Sequence, residues 1–287
     1  MISGSTKPVG IFGYPMEHTL SPAMHNFAFE RLGIPAIYLP FAVEPKHLEA
    51  ALGSLIPLGF LGVNLTLPHK EAALKWVQTI SPEVEQIGAI NTVVVRQGER
   101  MGYNTDVEGF LASLQNDLGW KPKGKKALVL GAGGAARAVI YALAEKRAQS
   151  IFVGNRTEVR ARHLVQEFRR HFPAVAMEWF ALSEESIQSM AKQVDLIVQT
   201  TSIGMNGGSL KISWREIPKT TSVIDLVYRP LDTPFVKGAR SAGLQATGGL
   251  GMLLYQGAAS FKLWTGREMP ITTVHKRLLQ ELSRSTS

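Results

Sequence analysis

The sequence predicts an α/β fold in two domains, on three observations. Its 287 residues exceed the usual size of a single hydrophobic core. Short apolar runs alternate with stretches of helical period, the pattern of folds built on mainly parallel sheets. A glycine string, Gly131-Ala132-Gly133-Gly134-Ala135, directly follows one such run in mid-chain. A hydrophobic share of 45% with 19% charged residues is that of a globular chain, since a disordered one carries too little apolar surface to fold.

Residues 9–12, 37–41 and 61–67 read as strands. A helix over 22–32 starts with Pro22 at its first position and Ser21 as its N-cap. Another, near 45–56, places Leu48, Ala51, Leu52 and Leu55 on one face. Residues 92–96 and 101–104 flank Gln97-Gly98, which predicts a hairpin closing the first sheet. The first, mainly parallel α/β domain therefore covers 1–105. A helix over 107–118 and a connector at 119–124, with Pro122, lead into the second domain, 106–247. Strands at 127–130, 151–153, 196–199 and 223–225, with a helix over 158–168, form a Rossmann-like succession. Helices near 252–265 and 271–282 fit either domain by periodicity.

The composition excludes several chemistries. There is no cysteine, so disulfides, thiolate metal sites and a cysteine nucleophile are all ruled out, which suits a reducing cytoplasm. The seven histidines show no metal-ligand spacing, and no metal is expected. The most apolar stretch, 127–144, is broken by three glycines and Arg137, and no signal core is visible; a cytoplasmic chain that neither spans a membrane nor is secreted is expected. The net charge of +8 is dispersed, with dense clusters at 121–126 and 156–170 and no interleaved aromatics. That favours small anionic ligands over nucleic acid.

Gly131 and Gly133 give the tight turn and close backbone approach that a pyrophosphate needs, and the helix N-terminus behind them offers N–H groups and a positive dipole. About twenty residues further, where an NAD enzyme places an acid against the ribose, the chain has Asn155-Arg156-Thr157 and then Arg160. Two guanidinium groups suit a 2′-phosphate, which predicts NADP(H). A solvated helix face is the plainer reading of the arginine pair. Thr200, Thr201 and Ser202 follow a strand, where open α/β sheets bind ligands; ordinary turn chemistry is the other reading.

Thr19-Leu20-Ser21-Pro22 offers hydroxyls at a helix start, a cradle for a carboxylate as well as a cap. In Asn64-Leu65-Thr66-Leu67-Pro68-His69-Lys70, Lys70 falls in a first helical turn, where the dipole disfavours a cation; a solvent-facing lysine is the plainer reading, and a general acid/base, which needs such an environment, is the other. In Asn104-Thr105-Asp106, Thr105 and Glu108 also fit a capping box, with Asp106 as a first-turn acid.

With Ala89-Ile90-Asn91-Thr92, Thr201-Ser202-Ile203-Gly204-Met205 and Gly251-Met252-Leu253-Leu254-Tyr255-Gln256, these stretches make the chain resemble the shikimate dehydrogenase family over nearly its whole length. The resemblance implies Lys70 and Asp106 as the catalytic pair, and Thr19 and Ser21 on the substrate carboxylate. Thr66, Asn91, Asp106, Gln256 and Tyr228 would contact the rest of the substrate. The cofactor NADP(H) would meet Gly131, Ala132, Gly133, Gly134, Ala135, Asn155, Arg156, Thr157, Arg160, Thr200, Thr201, Ser202, Val227, Gly249 and Met252. It implies, too, that residues 248–287 return to the first domain, that a cleft separates the domains, and that a homodimer is the candidate assembly.

Four positions depart from the commonest family pattern: Thr19 for serine, His69 for an aromatic residue, and Gln199-Thr200 for Asn-Ala. The reaction implied is reversible NADPH-dependent reduction of 3-dehydroshikimate to shikimate. A quinate/shikimate dehydrogenase of broader specificity and a non-catalytic NADP(H)-binding regulator are the competing readings.

Overall fold

The first apolar run forms β1 (Lys7–Gly13), whose last five residues are buried because a strand lies on each side of it. The computed structural model describes residues 2–16, 19–205 and 207–284. The chain divides into two compact units, Met1–Asp106 with Leu254–Ser287, and Val107–Leu253.

In the first unit, α1 (Ser21–Leu32) buries Ser21, Met24, His25, Ala28 and Phe29, one stripe of a 3.6-residue period. It ends at Gly33, whose φ of 62° is the left-handed conformation that stops helices. β2 (Ala36–Ala42), α2 (Leu48–Gly53), β3 (Gly62–Leu65), α3 (His69–Ala72), β4 (Thr79–Ile80), α4 (Pro82–Ile87), β5 (Thr92–Arg96) and β6 (Glu99–Tyr103) follow. The sheet order is β2-β1-β3-β5-β6-β4, with β5 antiparallel to both neighbours. Positive φ at Gln97 and Gly98 (54° and 77°) makes the two-residue turn whose twist matches a hairpin.

Four expectations change here. Ser21 lies inside α1 and caps nothing: Leu20 already has helical dihedrals, and its carbonyl accepts from the Met24 N–H at 3.1 Å. The 45–56 helix splits into a tight 3-10 turn at Pro45–His47 and α2, because His47, at φ −102° and ψ 0°, breaks the regular path. Leu48, Leu52 and Leu55 are nonetheless all buried. The 61–67 strand stops at Leu65, since Thr66 opens a turn whose carbonyl accepts from the His69 N–H at 2.8 Å. The hairpin does not close the sheet: β4 pairs outside β6, held by N–H bonds from Gln78 to Arg100 and from Ser81 to Gly102. Two residues carry no period to read.

The second unit runs α5 (Asp106–Leu118), β7 (Lys126–Leu130), α6 (Gly134–Glu145), β8 (Ser150–Asn155), α7 (Glu158–His171), β9 (Ala176–Ala181), α8 (Glu184–Ala191), β10 (Leu196–Gln199), β11 (Ser222–Asp225), α9 (Pro234–Ser241) and β12 (Gln245–Thr247), with the first residue of α5 still in the first unit. Its sheet, β12-β11-β10-β7-β8-β9, is parallel throughout. This is the doubly wound order, reversing direction between β7 and β10. Ala127 and Val129 feed one apolar cluster and Leu128 and Leu130 another, so β7 is buried on both faces. The sequence expectation omits β9, α8, α9 and β12. β9 alternates like an edge strand, and α8 is capped by Ser183 with Ser186, without the Glu or Gln of the usual signature.

The last helices are α10 (Leu250–Thr265) and α11 (Ile271–Arg284); α11 packs on α1. Phe261 and Trp264 of α10 join Phe29 and Tyr38 around the His25 ring, which stacks on Tyr38 at 4.4 Å. Gly62 permits this packing: a Cβ there would meet the Val93 carbonyl at 2.0 Å and the Trp264 ring nitrogen at 2.5 Å. No described helix is long and apolar enough to cross a membrane.

Candidate active site

In the first unit, the end of β3 and the one-turn α3 carry Lys70 to the start of α5. α3 is fastened twice: buried His69 bonds the Val43 carbonyl through Nε2 at 2.7 Å, and the Lys70 carbonyl accepts from the Ile90 N–H at 2.8 Å. Burial lowers the His69 pKa, so the ring acts as a neutral strut. Lys70 Nζ donates to Asp106 Oδ2 at 2.6 Å, with side-chain exposures of 16% and 5%. The second carboxylate oxygen, Oδ1, accepts from Asn91 Nδ2 at 2.8 Å. Both oxygens are therefore engaged, one by a cation and one by an amide.

The backbone beneath is equally fixed. Asn104 accepts the Asp106 N–H at 3.1 Å and donates its amide to the Ala89 carbonyl at 2.8 Å. Asn91 Oδ1 accepts the Thr105 N–H at 2.8 Å, and Asn91 Nδ2 reaches Gln256 Oε1 at 3.3 Å. So Lys70, Asp106, Asn91 and Gln256, residues up to 186 positions apart in the chain, form one bonded cluster. The Thr19 hydroxyl accepts from the Ser21 N–H at 3.2 Å, and Ser21 is buried. Thr66 is half-buried, its methyl lying where a Cβ on Gly13 would fall. Tyr228 is half-buried in the second unit.

Sequence reasoning assigned no role to the side chains of Tyr38, Thr92, Asn104 or Ser260, which the structure places in or beneath this cluster. Thr92 and Asn104 lie inside stretches that carry the family resemblance, and Ser260 stands four residues after Gln256, on the same helical face.

In the second unit, the glycine string joins β7 to α6 beside β10. Gly131 has φ 121°, and a Cβ there would lie 2.3 Å from Thr200 Oγ1. Gly133 precedes α6 with extended backbone, and a Cβ there would meet nothing within 4 Å. One glycine is thus required by the protein's own packing, while the other leaves open space at a helix N-terminus. Ala132 is buried; Gly134 and Ala135 are half-buried. At the end of β8, Asn155 donates to the Thr157 carbonyl at 2.9 Å, and Arg156, Thr157 and Arg160 are exposed.

The Thr200 hydroxyl donates to the Leu130 carbonyl at 2.8 Å, and the Thr201 hydroxyl accepts from the Ile203 N–H at 3.2 Å, so both serve the turn; Ser202 is exposed. Gly249 donates its N–H to the Val227 carbonyl at 3.0 Å. The Val227 N–H in turn donates to Asp225 Oδ1 at 3.0 Å, and the Thr233 hydroxyl donates to Asp225 Oδ2 at 2.6 Å. Burial raises the Asp225 pKa to about 6. Met252 is buried in the core cluster around Phe110 and Val129. Open backbone at Gly133, an adjoining helix N-terminus and exposed guanidinium groups fit a dinucleotide with a 2′-phosphate. Among the described residues, no three His, Asp or Glu side chains group as metal ligands.

Comparison with known proteins follows the same division. The family model described as shikimate dehydrogenase substrate binding domain matches residues 11–93. The model for shikimate / quinate 5-dehydrogenase matches 113–206, and that for the shikimate 5′-dehydrogenase C-terminal domain matches 249–279. A relative from Moorella thermoacetica, named shikimate dehydrogenase (NADP(+)), is 42% identical over 99% of this chain and 97% of its own. A solved shikimate dehydrogenase in complex with NADP+ superposes with a TM-score of 0.89 at 34% identity, covering 98% of each chain. The Thermus thermophilus enzyme in complex with NADP(H) and shikimate gives 0.83 at 39% identity, covering 96% of this chain and 99% of that one.

Proposed function

The chain belongs to the shikimate dehydrogenase family, and from that premise we propose that it interconverts 3-dehydroshikimate and shikimate with NADP(H). The observation that carries this reading is the 2.6 Å bond between Lys70 Nζ and Asp106 Oδ2, with the other carboxylate oxygen held by Asn91. NADP(H), when bound, supplies or takes up the hydride at the substrate's secondary carbon.

Lys70 does the proton chemistry at Nζ. In the reducing direction negative charge gathers on the substrate carbonyl oxygen, and the ammonium stabilises it and donates the proton. In the oxidising direction Lys70 without that proton accepts one from the hydroxyl. Asp106 holds the amine in place and offers its carboxylate to the neighbouring hydroxyl. Thr19 and Ser21 would bind the substrate carboxylate; Thr66, Asn91, Gln256 and Tyr228 would bind its other oxygens. Gly131 to Ala135 would cradle the pyrophosphate, Asn155 to Thr157 with Arg160 the 2′-phosphate, and Thr200, Thr201, Ser202, Val227, Gly249 and Met252 the remainder.

The small-acid substrate makes the dispersed positive charge intelligible without a nucleic-acid partner. The cysteine-free composition fits a reducing cytoplasm. A homodimer is the assembly to look for by sedimentation velocity. A steady-state assay crossing shikimate and quinate with NADP+ and NAD+ tests the reading: shikimate with NADP+ should give the highest kcat/KM. Comparable turnover of quinate and NAD+ would favour the broader enzyme, and absence of all turnover would favour the non-catalytic regulator.

A further inference from the structure

Beneath the Lys70–Asp106 pair lies a set of fully buried polar side chains that the proton chemistry does not itself use: Tyr38, Asn64, Thr92 and Ser260, each at most 4% exposed. Buried polar groups of this density persist only where they satisfy one another. The Tyr38 hydroxyl lies 2.7 Å from Asn64 Oδ1. Asn64 Nδ2 lies 3.0 Å from both Thr92 Oγ1 and Ser260 Oγ. Thr92 Oγ1 lies 3.0 Å from Asn91 Oδ1, and Asn91 Nδ2 lies 2.8 Å from Asp106 Oδ1.

The direction of this chain follows from groups that can play only one role. The Asn91 backbone carbonyl, 3.2 Å from Asn64 Nδ2, only accepts, so the Asn64 amide must present its NH2 there and its oxygen to Tyr38. The Thr105 backbone N–H, 2.8 Å from Asn91 Oδ1, only donates, so Asn91 must present its oxygen there and its NH2 to Asp106. Tyr38 therefore donates to Asn64, Asn64 to Thr92, Thr92 to Asn91, and Asn91 to the carboxylate. Every dipole points the same way, toward Asp106.

We propose that Tyr38 is a positioning residue for Asp106, acting through Asn64, Thr92 and Asn91 as the head of a one-way chain of hydrogen-bond donors. This rests on the reading of Lys70 and Asp106 as the proton-moving pair. Without the phenol, the Asn64 oxygen loses this donor, the hydroxyl of Thr92 can turn toward Ser260, 2.8 Å away, and Asn91 Oδ1 is left to the N–H and hydroxyl of Thr105, so the amide that holds the carboxylate is less tightly placed. Three side chains stand between the Tyr38 hydroxyl and Asp106 along this chain, so its effect is a displacement of Asp106.

The test measures kcat for shikimate oxidation by Tyr38→Phe, Thr92→Val, their double variant, Thr92→Ser and Asp106→Asn, with melting temperatures alongside. Tyr38→Phe keeps the ring stack on His25. Each single break should lower kcat by about tenfold, the scale of a small misplacement of a reacting group. Because the links are in series, the double variant should fall no further than either single one, and Thr92→Ser should recover most of the loss. Multiplying effects in the double variant, or wild-type kcat in Tyr38→Phe, would overturn the chain. If Tyr38→Phe does not fold, the Thr92 pair decides alone: loss in Val with recovery in Ser supports the chain, and equal behaviour overturns it. Wild-type turnover by Asp106→Asn would instead sink the reading of the site, and the chain with it.

Discussion

Burial holds the imidazole of His25 neutral: it is buried among aromatic rings, neither ring nitrogen has a hydrogen-bond partner among the described residues, and its pKa is pushed down to about 3. The unfolded chain binds that proton near pH 6.5, so folded His25 contributes stability that is complete above 6.5 and lost as pH falls toward 3. Between pH 6.5 and 5 the loss is on the order of 2 kcal/mol. Asp225 has the opposite sign, since its raised pKa makes the folded state the better proton binder from about 4 to about 6, and its contribution falls as pH rises through that window. Comparison of wild type with His25→Phe isolates the first effect. Urea unfolding at pH 7 and pH 5 should show the variant losing less stability than wild type on acidification; an equal loss would contradict the assignment. Arg156 is the other residue with a sharp signature. Arg156→Ala should weaken NADPH by about 10–100-fold, the worth of a charge-assisted pair. NADH binding should barely change in the same fluorescence titration, whereas equal weakening of both would show that Arg156 does not read the 2′-phosphate.

The turn from β7 to α6 makes a prediction of its own, because its two leading glycines are glycine for different reasons. Ala at Gly131 must adopt φ 121° and displace Thr200, whose hydroxyl holds the Leu130 carbonyl. Gly131→Ala should lower the melting temperature by several degrees, as a strain of roughly 1–3 kcal/mol requires, and weaken NADP+ as well. Gly133→Ala meets no protein atom. It should melt like wild type and lose cofactor affinity alone; a fall in its melting temperature would contradict this account. This turn was legible in the sequence because both its signals, apolar run and glycine string, are local. β4 and β12 were not, being two and three residues long and fixed by their neighbours. The boundaries of α1 also escaped, since the dihedrals of Leu20 carry the helix start past the expected cap.

At the scale of the whole chain, the first unit is assembled from both ends of the sequence: α10 returns Gln256 to Asn91 and Ser260 to Asn64, a bond spanning 196 residues. The stretches around Lys70 and Asp106 could be read singly from helix position and capping pattern, whereas Asn91 could be reached only through the family resemblance that links all three. The hydrogen bonds that orient them could not, because Tyr38, Thr92 and Ser260 acquire their partners only through the fold. The proposed reaction depends on Lys70 as the proton donor and acceptor beside a fixed carboxylate. The most direct measurement is therefore kcat for shikimate-dependent NADP+ reduction by Lys70→Ala. It should fall by ~10²–10⁴ with a much smaller change in KM, the range of a lost general acid/base. Turnover near that of the wild type would contradict it.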